Sequence, residues 1–182
     1  TRNDTFRVMK NTLGMSGLGI ATSWVSMAFA VFLNEIKNSK YRRFVQTFTT
    51  VPNFISWVLI FAVALSIFSA DGFVSNLMTQ TGQWESGKNL LMSNNHVWLQ
   101  MLLWGTWKGV GWGAIIYIAA ISGIDQQLYE AAEVDGAGRF QKMWNITIPE
   151  LLPTYCVLLL LSIGNILSNG LDQYLVFENS VN

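Results

Sequence analysis

The chain has 182 residues, of which 51% are hydrophobic and 12% charged, with a formal net charge of zero. A soluble domain carries about 25% charged residues, so the composition argues against an ordinary soluble protein and gives no sign of a nucleic-acid-binding surface. One cysteine, Cys156, and one histidine, His96, provide neither a disulfide framework nor a cysteine–histidine metal site.

Continuous apolar stretches dominate the chain. A helix needs about 20 residues to cross the hydrocarbon core of a membrane. Strands of a membrane barrel would alternate polar and apolar residues, and these stretches do not. The sequence therefore predicts an all-α integral membrane protein with one transmembrane domain over residues 1–182. The predicted spans are 12–33, about 51–68, 98–121 and 155–171.

The charges of the loops predict the topology. Residues 34–50 and 122–154 together contain six lysines or arginines, whereas residues 69–97 and the two tails contain four. Positively charged loops are retained in the cytoplasm. The first and third loops are therefore predicted to be cytoplasmic.

The third predicted span contains a lysine deep in the membrane. Lys108 is the eleventh of its 24 residues, and a charge at mid-membrane costs at least about 2.5–3.5 kcal/mol. Trp104, one turn away, can hold the ammonium group by a cation–π contact. Two interpretations stay open, a structural lysine bonded to neighbouring carbonyls or a residue lining a solute pathway. On the same span, Gly105, Gly109 and Gly113 share one face and predict close approach of another helix.

Two asparagines give the fourth predicted span a polar face. Asn165 and Asn169 are four residues apart and therefore lie on one side of a helix. Such amides either bond to neighbouring helices or bind a hydroxyl-rich solute. Both interpretations stay open.

The third loop, residues 123–153, predicts two short helices joined by a turn. Asp125 can cap the first helix, and Gly136 can adopt a positive φ where that helix ends. An apolar knob on such a loop is suited to a groove in a partner protein, the alternative being an amphipathic loop on the lipid interface. The second helix is predicted to start at Arg139, with Phe140, Met143 and Trp144 on one side. Pro149 and Pro153 are predicted to end it.

This loop also contains a recognisable motif. It reads Glu130-Ala131-Ala132, three residues, Gly136, nine residues, then Ile146-Thr-Ile-Pro149. The pattern resembles the EAA signature of the binding-protein-dependent ABC importer permeases and departs from it at Ile148, where the family has leucine. Further segments are similar to the branch of that family that handles complex or oligomeric sugars, namely Asn11-Thr12-Leu13, Phe44-Val-Gln-Thr, Ile55-Ser56-Trp57 and Trp107 to Gly113.

The resemblance implies a type I importer permease in the bacterial plasma membrane. Such a subunit forms half of an alternating-access pathway and is not an enzyme. It binds no cofactor, since ATP and Mg²⁺ are held by a cytoplasmic ABC ATPase dimer. The other implied partners are a second homologous permease, an extracytoplasmic solute-binding protein and membrane lipid, without nucleic acid. Because six helices are usual in the family and the chain begins at Thr1, we expect it to be a fragment of a longer subunit.

Candidate site residues follow for two regions. The resemblance implies contact between residues 123–153, which we call the coupling loop, and the ATPase. In the spans, we expect a substrate pathway near Trp104, Lys108, Asn165 and Asn169. The coupling-loop candidates are Glu130, Ala131, Ala132, Asp135, Gly136, Ala137, Gly138, Phe140, Ile146 and Pro149.

The alternative function is an ion-coupled secondary transporter or a channel subunit. That class usually relies on carboxylates or broken helices near the membrane midplane, and the centres of the four predicted spans contain no aspartate or glutamate. A phosphate-binding loop is not expected at residues 82–89, because Asn89 replaces the hydroxyl residue that holds Mg²⁺.

Overall fold

The structure is a computed structural model that describes residues 2–83 and 97–166. Within these residues the secondary structure is helical, which confirms the predicted all-α fold. A 3₁₀ turn, Val51–Phe54, and a π turn, Met143–Thr147, occur between α-helices. The helices are α1 (Arg2–Ala21), α2 (Trp24–Asn34), α3 (Ser39–Thr50), α4 (Trp57–Phe68), α5 (Phe73–Gln80), α6 (Val97–Ser122), α7 (Gln126–Val134), α8 (Arg139–Lys142) and α9 (Ile148–Gly164).

Several of these helices are suited to cross a membrane. Three segments of the described chain are long and apolar enough, namely Met9–Asn34, Trp57–Gln80 and Arg139–Gly164. A fourth candidate is Leu99–Ser122 together with α7, which bends away from it by 70°. Each of the four apolar stretches predicted from the sequence overlaps one of these segments.

The second span begins later than predicted. The prediction placed Pro52 in the first turn of the spanning helix, whereas the structure places it in the 3₁₀ turn that continues α3. The helical chain then breaks, and Ser56 takes an extended conformation with φ −64° and ψ 151°. Its Oγ accepts a hydrogen bond from the backbone N–H of Leu59 at 3.4 Å. Because serine is a favourable N-cap, α4 starts after Ser56 and not at the proline.

The prolines near the fourth span do not end a helix, so the predicted boundary at Tyr155 is wrong. The chain stays helical from Arg139 through the π turn to Gly164, and Pro149 is the second residue of α9. A proline inside a helix clashes with the carbonyl four residues earlier. The wider π turn directly before Pro149 relieves that clash. The predicted end of the span, Leu171, lies outside the described residues.

One compact unit contains α1 to α3, most of α6, and α7 to α9. Its core lies where α2, α6 and the start of α9 meet. Hydroxyl contacts tie α9 to the break between α1 and α2, since Ser23 Oγ lies 3.1 Å from Tyr155 Oη. This packing fixes the C-terminal end of α6, from which the coupling loop starts. The buried core residues are Ala30, Val31, Ala114, Tyr117, Ile121 and Leu151.

The second compact unit contains α4, α5 and the first turns of α6. Gly72 allows the tight connection between α4 and α5, because a Cβ at this position would lie 2.7 Å from the carbonyl oxygen of Ile67. The rings of Phe68 and Trp104 meet edge to face, with centroids 6.2 Å apart. Trp104, a candidate pathway residue, therefore has an aromatic partner within this unit.

Candidate functional site

The coupling loop begins with a well-capped helix. Three residues, 123–125, separate the end of α6 from α7. Asp125 Oδ1 accepts a hydrogen bond from the backbone N–H of Gln127 at 2.9 Å, which satisfies one of the free donors at the start of α7. The cap predicted for Asp125 is confirmed.

Gly136 ends α7 in the conformation that the sequence predicted, with φ +76°. The N–H of Ala137 donates to the carbonyl of Ala132 at 2.8 Å, and the N–H of Gly136 donates to the carbonyl of Glu133 at 3.1 Å. These two bonds form a Schellman motif, in which glycine is strongly preferred because side chains disfavour a positive φ. The chain direction after α7 therefore depends on Gly136.

An ion pair closes the loop across this turn. Lys142 Nζ lies 2.8 Å from Glu133 Oε2. The hydrogen bond from Lys142 and its positive charge hold the pKa of the Glu133 carboxyl below its ordinary value. Glu130, the candidate glutamate predicted in this helix, has an exposed side chain, and the pairing of Glu133 was not predicted.

Two further hydrogen bonds hold the loop, and one of them connects residues that are 18 positions apart. The hydroxyl groups of Tyr129 and Thr147 are 2.9 Å apart, and Thr147 is almost fully buried. Gln141 Oε1 accepts a hydrogen bond from the backbone N–H of Gly138 at 2.7 Å. The loop is thus bound to the base of α9 and keeps a fixed shape.

Large apolar side chains are exposed on the surface of the loop. Val134, Phe140 and Trp144 are exposed by 88%, 78% and 69%. Met143, which the sequence predicted on the same side as Phe140, packs partly buried against the core. Large apolar side chains in such a cluster mark an interaction surface more often than an ordinary water-exposed surface.

The remaining coupling-loop candidates lie around this surface. Those that are half-buried are Ala132, Ala137 and Ile146. The exposed ones are Glu130, Ala131, Asp135, Gly138 and Pro149.

Within the spans, Lys108 is bonded to backbone carbonyls. Its Nζ donates to the carbonyl oxygens of Asn53 at 2.8 Å and Pro52 at 3.1 Å. These are the contacts expected of a structural lysine, although the acceptors belong to a 3₁₀ turn and not to a regular helix. Pathway lining and the cation–π contact with Trp104 stay predictions.

The structure describes only one of the two candidate asparagines, Asn165. Asn165 is exposed at the end of α9, and its Nδ2 donates to the carbonyl of Leu161, one turn earlier in the same helix, at 3.0 Å. Asn169 lies outside the described residues. The pathway role of both stays a prediction.

The glycines of α6 allow close approach, but not along the predicted stripe. At Gly113 an added Cβ would lie 2.7 Å from Ser26 Oγ, in agreement with the prediction, whereas at Gly109 it would meet nothing within 4 Å. At Gly111, which the prediction left out, it would overlap the backbone of Thr49. The close contacts of α6 are therefore with α2 at Gly113 and with α3 at Gly111.

Comparison with known proteins identifies a family. The sequence profile described as "binding-protein-dependent transport system inner membrane component" matches residues 18–181. This match covers the coupling loop, most of the first candidate span and the whole of the other three.

Relatives in Bacillus subtilis (strain 168) match most of the chain. Protein LplB is 36% identical over 182 residues, covering 98% of this chain and 56% of the relative. The polygalacturonan/rhamnogalacturonan transport system permease protein YteP is also 36% identical, covering 97% of this chain and 55% of the relative. The chain thus spans little more than half the length of these curated relatives.

A solved structure has the same fold. It is a crystal structure of a bacterial ABC transporter involved in the import of the acidic polysaccharide alginate, with a TM-score of 0.86 and 33% identity. The match covers 94% of this chain and 60% of that chain. A second structure of a bacterial alginate ABC transporter, in complex with an alginate pentasaccharide-bound periplasmic protein, matches with a TM-score of 0.84.

Proposed function

Because the chain belongs to the family of binding-protein-dependent transport system inner membrane components, we propose that it is part of the permease subunit of an ATP-driven importer. The solute is a sugar or an oligosaccharide, as the names of YteP and of the alginate transporters suggest by analogy. The subunit lies in the bacterial plasma membrane and contributes half of an alternating-access pathway. The observation that carries the proposal is the EAA-like loop, with its apolar surface and its glycine-dependent turn.

The coupling loop transmits the movements of a cytoplasmic ABC ATPase dimer. Phe140 and Val134 would fill a groove on the ATPase, since exposed apolar side chains gain most from burial in a partner. The Schellman turn and the ion pair between Glu133 and Lys142 keep the loop in one shape. When the loop is displaced, it therefore moves as a unit and carries α6 and α9, the helices joined to its two ends.

The other partners complete the pathway. A second homologous permease would form the other half, and an extracytoplasmic solute-binding protein would deliver the solute, as the periplasmic protein bound to an alginate transporter suggests. ATP and Mg²⁺ would be bound by the ATPase subunits, with no cofactor on this chain. The alternative, an ion-coupled transporter or channel subunit, has no finding in its favour.

Reconstitution of the complete transporter tests the proposed function. We expect proteoliposomes that contain the full permease pair and the ATPases to accumulate oligosaccharide only with ATP on the ATPase side. Solute-loaded binding protein should raise ATP hydrolysis severalfold. An ATPase variant unable to hydrolyse ATP is the control. Accumulation that follows an ion gradient and ignores ATP would support the alternative function instead.

The substrate pathway is the second part of the proposal, and it includes Trp104, Lys108, Asn165 and Asn169. Amides and an indole ring can bind the hydroxyl groups and the apolar faces of a sugar. We expect Asn165→Leu or Asn169→Leu to lower oligosaccharide uptake severalfold, with normal assembly of the transporter. The measurement is initial uptake into cells at matched membrane abundance.

The chain offers a control for these asparagine variants. Cys156 is exposed on α9, nine residues before Asn165 and therefore on the opposite side of the helix, at about 100° per residue. Cys156→Leu adds the same apolar side chain to α9 and should leave uptake unchanged. Normal uptake by an asparagine variant would reduce that residue to a packing role.

A further inference from the structure

The helical chain breaks just before the second span, and this break lies beside a half-buried charge. The helical path of α3 continues through the 3₁₀ turn Val51–Phe54 and then stops, before α4 restarts after the extended Ser56. Lys108 donates to the carbonyl oxygens of Pro52 and Asn53, the two central residues of that turn. The ammonium group therefore binds the backbone just before the chain leaves its helical path.

This contact lies far from both ends of α6. Lys108 is eleven residues after Val97 and fourteen before Ser122. At about 1.5 Å per residue, these separations correspond to roughly 17 Å and 21 Å. A hydrocarbon core of about 30 Å therefore places Lys108 far from both faces of the membrane, where polar groups need partners inside the protein.

A second contact holds the same piece of backbone. Gly111, one turn after Lys108, packs so closely on Thr49 that an added Cβ would overlap its carbonyl group. The end of α3 therefore lies directly against α6, within reach of the lysine side chain. The close packing brings the turn to the lysine, and the hydrogen bonds fix the direction of its carbonyl groups.

We infer that Lys108 is a positioning residue whose ammonium group holds the 3₁₀ turn Val51–Phe54, at the point where the helical chain breaks before the second span. The positive charge of the lysine strengthens its hydrogen bonds to both carbonyls. The ammonium group of α6 thus has backbone carbonyls as hydrogen-bond partners. This role goes beyond the proposed import function, because it depends on the backbone of this chain and not on any solute.

Thiol accessibility at the turn tests the inference. Asn53→Cys keeps the backbone carbonyl and introduces a reporter thiol, in the full subunit with its other cysteines, Cys156 among them, replaced by alanine. Loss of a charge-assisted hydrogen bond shifts a local opening equilibrium on the order of tenfold. We expect Lys108→Met to raise the rate of alkylation at position 53 by about that factor. Lys108→Arg, which keeps charged donors, should stay within about twofold of the parent.

Two controls distinguish a local effect of Lys108 on the 3₁₀ turn from destabilisation of the whole protein. Lys142→Met removes the lysine of the loop ion pair and should leave alkylation at position 53 unchanged. A reporter placed by Ala30→Cys, at a fully buried core position, should stay protected in the Lys108→Met protein. A parallel rise at both reporters would show unfolding and overturn a local role.

Two further results would overturn the inference. The first is an unchanged alkylation rate at position 53 in Lys108→Met. The second is an arginine variant that behaves like the methionine variant, because the restored charge should hold the turn. If Lys108→Met does not insert into membranes, the arginine variant is the test. The inference requires that Lys108→Arg both inserts into membranes and keeps position 53 protected from alkylation. None of these measurements requires transport, so a failed import assay leaves them intact.

Discussion

Gly136→Val is expected to abolish uptake and to weaken recovery of the ATPase with the permease, while the spans still insert. The residue has φ +76°, a conformation that costs a non-glycine residue about 1–2 kcal/mol, and more for a β-branched side chain. The chain would leave the left-handed conformation, and the Schellman bonds at the end of α7 would break. The measurements are uptake, membrane abundance and a pull-down of the ATPase through this subunit.

A neighbouring glycine provides the control. Gly138 has φ −70°, which any residue adopts, and a Cβ there would meet Gln141 Oε1 at an ordinary 3.7 Å. Gly138→Ala should therefore keep near-normal uptake. Normal uptake and normal ATPase recovery in Gly136→Val would remove the coupling assignment and most of the proposed function with it.

Gly111→Ala is expected to prevent stable packing of α6. The added methyl group would overlap the Thr49 carbonyl, and a backbone atom cannot move aside as a flexible side chain can. Overpacking in a tight core costs typically about 1–3 kcal/mol, so we expect a clearly lower melting temperature of the detergent-solubilised subunit and reduced membrane abundance.

Gly109, two residues earlier in the same helix, gives a matched control. An added Cβ there meets nothing within 4 Å, and alanine is favoured over glycine in a helix by about 0.5–1 kcal/mol. Gly109→Ala should therefore be neutral or slightly stabilising. Equal melting temperatures for the two variants would mean that α3 and α6 do not pack as closely as the structure places them.

The spans and the helix ends that depend on neighbouring residues could be predicted from the sequence. Long apolar stretches predicted the spanning helices, because length and apolar character largely decide that a segment crosses a membrane. Asp125 and Gly136 predicted the two ends of α7, because a cap and a Schellman turn depend on neighbouring backbone groups. The predicted apolar surface of the loop was correct at Phe140 but not at Met143.

Features that depend on distant residues could not be predicted in this way. Pro149 was expected to stop a helix, because the sequence does not reveal the π turn that accommodates its ring. The partners of Lys108 are backbone carbonyls more than fifty residues away. Similarly, a repeat of every fourth residue pointed to Gly113 but missed Gly111, which faces a different helix.

The two glycine contacts of α6 have a mechanical consequence. Gly111 and Gly113 lie nearly on opposite sides of the helix, against α3 and α2, so α6 is held between these two helices at one height. Further along, Ala114, Tyr117 and Ile121 pack into the core with α2 and α9. A push on α7 would therefore displace α6 together with these neighbours and would not move it alone.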